Sequence, residues 1–200
     1  MKSCYRMFLH LIVTVYILSI PIITFAEPIA LYRLFNHRND HLYTTNCQES
    51  LDARNNEYGI EGIAGYVEST QIEGTVPLYR LWKPSDHFYT ANPNERNALL
   101  AAGYTDEGIV GYIRPAGTPD TTAFYRSFNV TSGDHFYTTS KREHDNAIRK
   151  HGYKDEGFAG YIWSTGKQCS SIPPPPPPPP SSGGCQWVSD GEHPPFLECT

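Results

Sequence analysis

The chain has no run of lysine or arginine, no Gly-x-Ser-x-Gly elbow, no His-Glu-x-x-His helix, no phosphate-binding glycine loop and no Cys-x-x-Cys. Each absence excludes a class. Without clustered basic residues, nucleic acid and anionic membrane surfaces are poor partners. Without the catalytic signatures, serine hydrolase, zinc protease and nucleotide chemistry lack their usual marks. Without Cys-x-x-Cys or cysteine–histidine ligand spacing, a structural zinc site has no support. Long hydrophobic runs are missing too, except at the start.

That start reads as a processing signal. Lys2 and Arg6 form a basic segment, an apolar run extends from Met7 to about Ile23, and Thr24-Phe25-Ala26 gives a small-x-small cleavage pattern. Residues 1–26 are therefore expected to be a signal peptide and Glu27 the mature start. The rival reading, a retained membrane anchor, has a run short for a span and interrupted by His10 and Pro21. The expected location is secreted and extracellular, with no membrane span after processing. Losing Lys2 and Arg6 from 16 basic residues against 21 acidic leaves a net charge of −7.

Cys47, Cys169, Cys185 and Cys199 remain after processing, an even number in a secreted chain, so disulfides are expected. Four cysteines allow three connectivities. Pro173–Pro180 favours a polyproline II rod of roughly 25 Å, at about 3.1 Å per residue, and a rod resists closing a short loop. Cys185–Cys199 and Cys47–Cys169 are the favoured pairs. Residues 169–184 read as a Ser/Pro-rich spacer and 185–200 as a short cysteine-bounded tail.

Between signal and tail, one pattern occurs three times. Leu31-Tyr32-Arg33-Leu34-Phe35, Asp40-His41-Leu42-Tyr43-Thr44 and Glu61-Gly62-Ile63-Ala64-Gly65-Tyr66 form the first copy. The Asp-His pair returns at Asp86-His87 and Asp134-His135, after 46 and then 48 residues. A period of that length signals a repeat architecture. The repeats cover about 28–70, 75–116 and 121–165 within a domain spanning 27–168. Each reads as two strands joined by a turn, a short helix, and a third strand with two glycines. Asn46, Asn92 and Ser140 stand as helix N-caps, each three residues before a glutamate placed to reach back to the cap. Gly103 and Gly152 suit a left-handed helix end; the first copy has Glu57 there, and Asn56 is the expected substitute. The predicted fold is mainly β with short helices: three ββαβ repeats in a closed pseudo-threefold arrangement. It is three-bladed and propeller-like, with a β-trefoil as the alternative.

Three sets of residues are candidates for chemistry. His41, His87 and His135 would bind a metal if they met on the axis; otherwise Asp40, Asp86 and Asp134 cap their own turns and each histidine packs beneath the next tyrosine. Arg33, Arg80 and Arg126 are expected to pair within their repeats with Glu61, Glu107 and Glu156, though arginines turned outward would hold carboxylates or sugar hydroxyls. The repeated tyrosines read equally as core with locally satisfied hydroxyls or as sugar platforms. Trp82 and Trp163 are the better platforms, because not every copy has one. Asn129-Val130-Thr131 is an N-glycosylation sequon in the third turn.

These motifs together resemble a family of secreted bacterial and fungal repeat domains catalogued as a domain of unknown function, over residues 28–163. Asn39 and Ser85 replace the glycine that precedes Asp-His in that pattern, which only Gly133 keeps; Ser127 replaces an apolar residue. The family is often appended to secreted hydrolases, which implies targeting or attachment, and it transfers no catalytic residue. Triplicated side chains also suit multivalent binding better than catalysis. The expected function is a non-catalytic module for an extracellular glycan or cell-surface component, with Asp40, His41, Trp82, Asp86, His87, Asp134, His135 and Trp163 as candidate contacts. The alternatives are a structural or adhesion protein and, third, a metal-dependent hydrolase. No cofactor and no metal ligand set is implied.

Overall fold

The computed structural model describes residues 27–36 and 40–170, together with the backbone of residues 185–188 and 196–199. The expected signal peptide, Asn39 and the proline tract lie outside the described residues. No helix among the described residues is long and apolar enough to cross a membrane.

The protein is mainly β. Unit one comprises β1 (Ile29–Asn36), β2 (His41–Thr44), α1 (Cys47–Asn55) and β3 (Tyr58–Val67). Unit two comprises β4 (Val76–Lys83), β5 (Asp86–Thr90), α2 (Pro93–Ala101) and β6 (Thr105–Ile113). Unit three comprises β7 (Thr121–Asn129), β8 (His135–Thr138), α3 (Lys141–Lys150) and β9 (Tyr153–Trp163). The strands form a six-stranded antiparallel sheet, β2-β1-β3-β9-β7-β8, and a three-stranded one, β5-β4-β6. Units meet through the ends of their third strands, at Glu68↔Tyr112, Arg114↔Tyr161 and Tyr66↔Trp163.

Local chemistry explains the elements. Each first strand is rich in aromatic and branched residues that fit a pleated surface. The Asn46, Asn92 and Ser140 side chains accept backbone N–H groups of the first helical turn, satisfying donors the helix cannot. At the first helix end, Glu57 itself takes the positive φ (74°) that Gly103 and Gly152 take elsewhere, and Asn56 does not substitute. Ser85 likewise adopts φ 71° in the turn position that Gly133 fills at φ 80°, so the missing glycine leaves the hairpin intact.

The second glycine of each third strand answers to space. A Cβ on Gly111 would stand 2.4 Å from Val67 Cγ2, and one on Gly65 would stand 2.4 Å from Ile162 Cδ1. Both obstructing atoms belong to neighbouring units, so these glycines let one unit close on the next. The core they close over draws matching side chains from all three: Leu31, Leu78 and Phe124; Tyr43, Tyr89 and Tyr137; Val67, Ile113 and Ile162.

A disulfide joins Cys47 to Cys169, with Cα atoms 5.9 Å apart. In the tail, β10 (Cys185–Val188) and β11 (Phe196–Cys199) form an antiparallel ribbon in which Cys185 and Cys199 are cross-strand partners.

Candidate functional site

The middle strands of the three units bring their tyrosines together. The Tyr43 hydroxyl donates to the Tyr137 carbonyl (2.6 Å) and accepts from the Tyr137 N–H (2.8 Å). The Tyr137 hydroxyl does the same with the Tyr89 backbone, at 2.9 and 2.8 Å. The Tyr89 hydroxyl closes the cycle on Tyr43, at 2.8 and 2.7 Å. The rings meet edge to face, 5.2 to 5.5 Å apart, a favourable arrangement of their quadrupoles. Burial pushes the Tyr43 and Tyr137 hydroxyls well above the ordinary tyrosine range. The hydroxyls are thus satisfied across units and not locally.

The Asp-His pairs form a second cycle. Adjacent in sequence, the two residues serve different neighbours. The His41 N–H and Nδ1 meet Asp134 at 2.9 and 2.8 Å. His87 meets Asp40 in the same way, at 3.0 and 2.8 Å, and His135 meets Asp86, at 3.2 and 2.8 Å. Each carboxylate also accepts a tyrosine hydroxyl from its own unit: Tyr58 on Asp40, Tyr104 on Asp86 and Tyr153 on Asp134. These carboxylates therefore serve a neighbouring unit's histidine and a tyrosine in place of the expected bonds to their own turns, and all six residues are buried. On the far side of each imidazole, Nε2 lies 3.6 to 3.7 Å from Glu61, Glu107 or Glu156. Burial opposes a charge on His41, but Asp134 and Glu61 outweigh it and hold its pKa above 6.5. Burial also opposes a charge on Asp40, yet hydrogen bonds from His87 and Tyr58 lower its pKa overall.

The arginines make a third cycle. Arg33 Nε lies 2.8 Å from Glu61, Arg80 Nε 2.8 Å from Glu107 and Arg126 Nε 3.0 Å from Glu156. The guanidinium forks point to the preceding unit's helix: Arg33 donates twice to Glu143, Arg80 twice to Glu49 and Arg126 twice to Glu95. Glu49, Glu95 and Glu143 are the partners that sequence reasoning missed. Their place three residues after an N-cap suggested a capping role, but each turns to an arginine and to Thr44, Thr90 or Thr138. The common spacing of Thr, cap and glutamate in all three copies was the available signal.

These cycles correct the expected site. The histidines do not converge to form a metal centre; each is held between two carboxylates, and tyrosines occupy the shared core. Among the described residues no group of three or more His, Cys, Asp or Glu could hold a metal ion. Being buried, Asp40, His41, Asp86, His87, Asp134 and His135 present no open contact surface. Trp163 is 7% exposed, and its indole N–H donates to Asp120 (3.0 Å) beside Tyr32, Tyr66 and Leu34, so it is no platform. Trp82, at 39%, is exposed, as are Ile109 (48%) and Phe158 (52%), which sequence reasoning passed over. The Asn129 amide of the sequon is engaged at both ends, donating to the His151 carbonyl and accepting from the Thr131 and Ser132 N–H groups.

No curated protein and no solved structure matches the chain. A family model described as "Domain of unknown function (DUF5648)" matches residues 19–114 and 114–173, and the chain belongs to that family.

Proposed function

We propose that the protein is a secreted, non-catalytic binding module, attaching to an extracellular glycan or cell-surface component through exposed aromatic side chains on a rigid scaffold. The observation that carries this reading is the division of labour among side chains. The triplicated Asp, His, Arg and Tyr residues are committed to contacts between units. A reactive residue held by two or three buried partners makes a poor nucleophile or acid but a stiff frame. The exposed apolar side chains left over, Trp82 and Phe158 above all, are the type that stacks on sugar rings.

The scaffold is best understood as three ββαβ units closed into a propeller-like ring. The cyclic order of the tyrosine, Asp-His and Arg-Glu contacts supports closure, as does the meeting of third strands at all three junctions. A trefoil has no place for a helix in every unit. Closure would also remove free sheet edges, a common aggregation liability.

The test is binding of the full chain to a broad panel of glycans and insoluble polysaccharides. A specific hit that weakens on Trp82→Ala or Phe158→Ala supports the reading; no binding to any member of the panel overturns its glycan arm.

A further inference from the structure

One part of the frame does not repeat. After Val67, Ile113 and Ile162, which enter the core, the chain continues with a different residue in each unit: Glu68, Arg114 and Trp163. The junctions bring the three together. Glu68 bridges to Tyr112, Arg114 to Tyr161 and Trp163 to Tyr66. Arg114 follows two residues after Tyr112, and Trp163 two after Tyr161. Glu68 and Trp163 are thus same-face diagonal neighbours of Arg114, within reach of a long side chain. Glu68 is 4% exposed. Among the described residues, the buried Glu68 Oε2 and the buried Arg114 Nε have no hydrogen-bond partner. Each orphan is costly, and they stand at the same junction. Arg114 is engaged elsewhere: Nη1 donates to the Glu73 carbonyl (3.2 Å), and the guanidinium lies 5.7 Å from the centre of the Trp163 ring. Gly74 leaves room for it there, since a Cβ on Gly74 would stand 2.5 Å from Nη1. Burial raises the Glu68 carboxyl above the usual carboxylate range, against the pull of Arg114. The other titratable groups of the surrounding elements are the three tyrosines, Asp120, which accepts the Trp163 indole N–H, and the exposed Glu27, Glu73 and Lys167. Lys167 belongs to the segment that crosses unit one, where the Ala30 N–H donates to its carbonyl (2.9 Å) and the Cys169 N–H to the Tyr32 hydroxyl (2.7 Å).

We propose that Glu68 and Arg114 form a proton-controlled switch at the junction of units one and two. With Glu68 protonated, Arg114 rests on Trp163 and the Glu73 carbonyl. When Glu68 ionises, the guanidinium crosses to it, satisfying both orphaned groups and releasing Trp163 and the connector of residues 68–75. This goes beyond the glycan reading and stands without it. The parked guanidinium holds one neutral carbonyl and an indole face. An ionised carboxylate offers it a charge-assisted pair, roughly twice as strong as a neutral hydrogen bond. A protonated carboxyl offers no such gain, so the proton on Glu68 decides which contact wins. The direction follows: Arg114 is parked at acid pH and crosses as pH rises through the folded value of Glu68.

The experiment follows the indole N–H resonances of the full chain, carrying isotope-labelled tryptophan, from about pH 3 to pH 8, a range that spans the ordinary carboxylate values. The Trp163 signal is assigned by its loss in Trp163→Phe. It should shift in one step centred above the usual glutamate range, as Arg114 leaves the ring. Asp120, which the Thr118 hydroxyl holds below its ordinary range, gives a separate step at lower pH. Glu68→Gln should erase the upper step, hold the signal at its acid position and keep the lower step. Arg114→Met should also erase the upper step although Glu68 still titrates, because no guanidinium is left to move. Should Arg114→Met fail to fold, Gly74→Ala supplies the second arm: by crowding the parked guanidinium it should move the acid signal toward its neutral-pH position. The proposal falls if the parent shows no upper step, or if that step survives Glu68→Gln or Arg114→Met. It falls also if Gly74→Ala leaves the acid signal in place.

Discussion

The centre of the molecule and its outer faces treat the three units differently. At the centre the units agree residue for residue: Tyr43, Tyr89 and Tyr137 trade the same pair of hydrogen bonds, and each histidine meets the preceding unit's aspartate. On the outside the same positions diverge into a covered Ile63, an exposed Ile109 and an exposed Phe158. A side chain that must fit partners from two units cannot drift without breaking both contacts. One that faces solvent can be respecified at little cost to stability. Sameness therefore marks the frame, and difference marks the positions free to vary.

Within the frame the junctions are unequal, and that gives the largest expected effect. Arg33, Glu61 and Glu143 are nearly out of solvent, whereas Glu95 and Glu156 around Arg126 keep 31% of their side-chain surface. Arg33→Ala takes the guanidinium from two buried carboxylates, leaving Glu143 only Thr138 and Glu61 only the more distant His41, and is expected to cost about 3–5 kcal/mol. Arg126→Ala should cost nearer the ~1 kcal/mol typical of exposed pairs. Urea melts of the two variants decide this; equal losses would mean that the junctions are energetically alike despite their burial.

Next comes the cover on unit one. The Cys47–Cys169 disulfide closes a sequence separation of 122 residues, so the double variant Cys47→Ser, Cys169→Ser should lose about 2–4 kcal/mol. It should also raise hydrogen exchange at the Ala30 and Cys169 amides, since the segment over Tyr32 would be held by its hydrogen bonds alone. Unchanged exchange there would mean that the segment is pinned without the staple.

Tyr89→Phe cuts the central cycle at one link. It deprives the buried Tyr43 N–H and carbonyl of their partner, at about 1–3 kcal/mol for a group left unsatisfied, while keeping the ring packing. A variant as stable as the parent would show that the hydroxyl cycle adds nothing to the packing of the rings.

Much of the frame was legible in sequence because its parts recur. The strand-like and capped segments read from the motifs gave a mainly β chain with short helices, as in the structure. Of the two glycines expected to mark a close approach, only the second does so, at Gly65 and Gly111; the first, at Gly108 and Gly157, has open space around it and takes a positive φ instead. Which unit supplies the partner was not legible. Asp40 beside His41, or Glu49 behind an N-cap, invites a local reading, and only the arrangement of units in space sends Asp40 to His87 and Glu49 to Arg80. Exposure was hidden for the same reason. Trp163 and Phe158 are both aromatic residues of one strand, and neighbours from elsewhere in the chain, Tyr32, Tyr66, Arg114 and Asp120 among them, bury the first.

The smallest effect separates frame from faces by pH. His41 has a pKa above 6.5 because Asp134 and Glu61 outweigh burial. Its contribution to stability is therefore complete below about pH 6.5, the unfolded value, and drains as pH rises through the folded one. Asp40, Glu49 and Glu95 have lowered values; in each, hydrogen bonds to His87, Arg80 or Arg126 overcome the cost of burial. Their contribution is complete above about pH 4.5 and is lost as pH falls through the folded values. Stability should peak between these limits, on the acidic side of neutral. His41→Asn should lower the peak and flatten the alkaline limb while keeping the acid limb. Phe158→Ser, which touches no titrating partner of the frame, should leave the whole profile in place. Melting temperatures from pH 3 to 9 measure both limbs. An alkaline limb that persists in His41→Asn would remove His41 as its source.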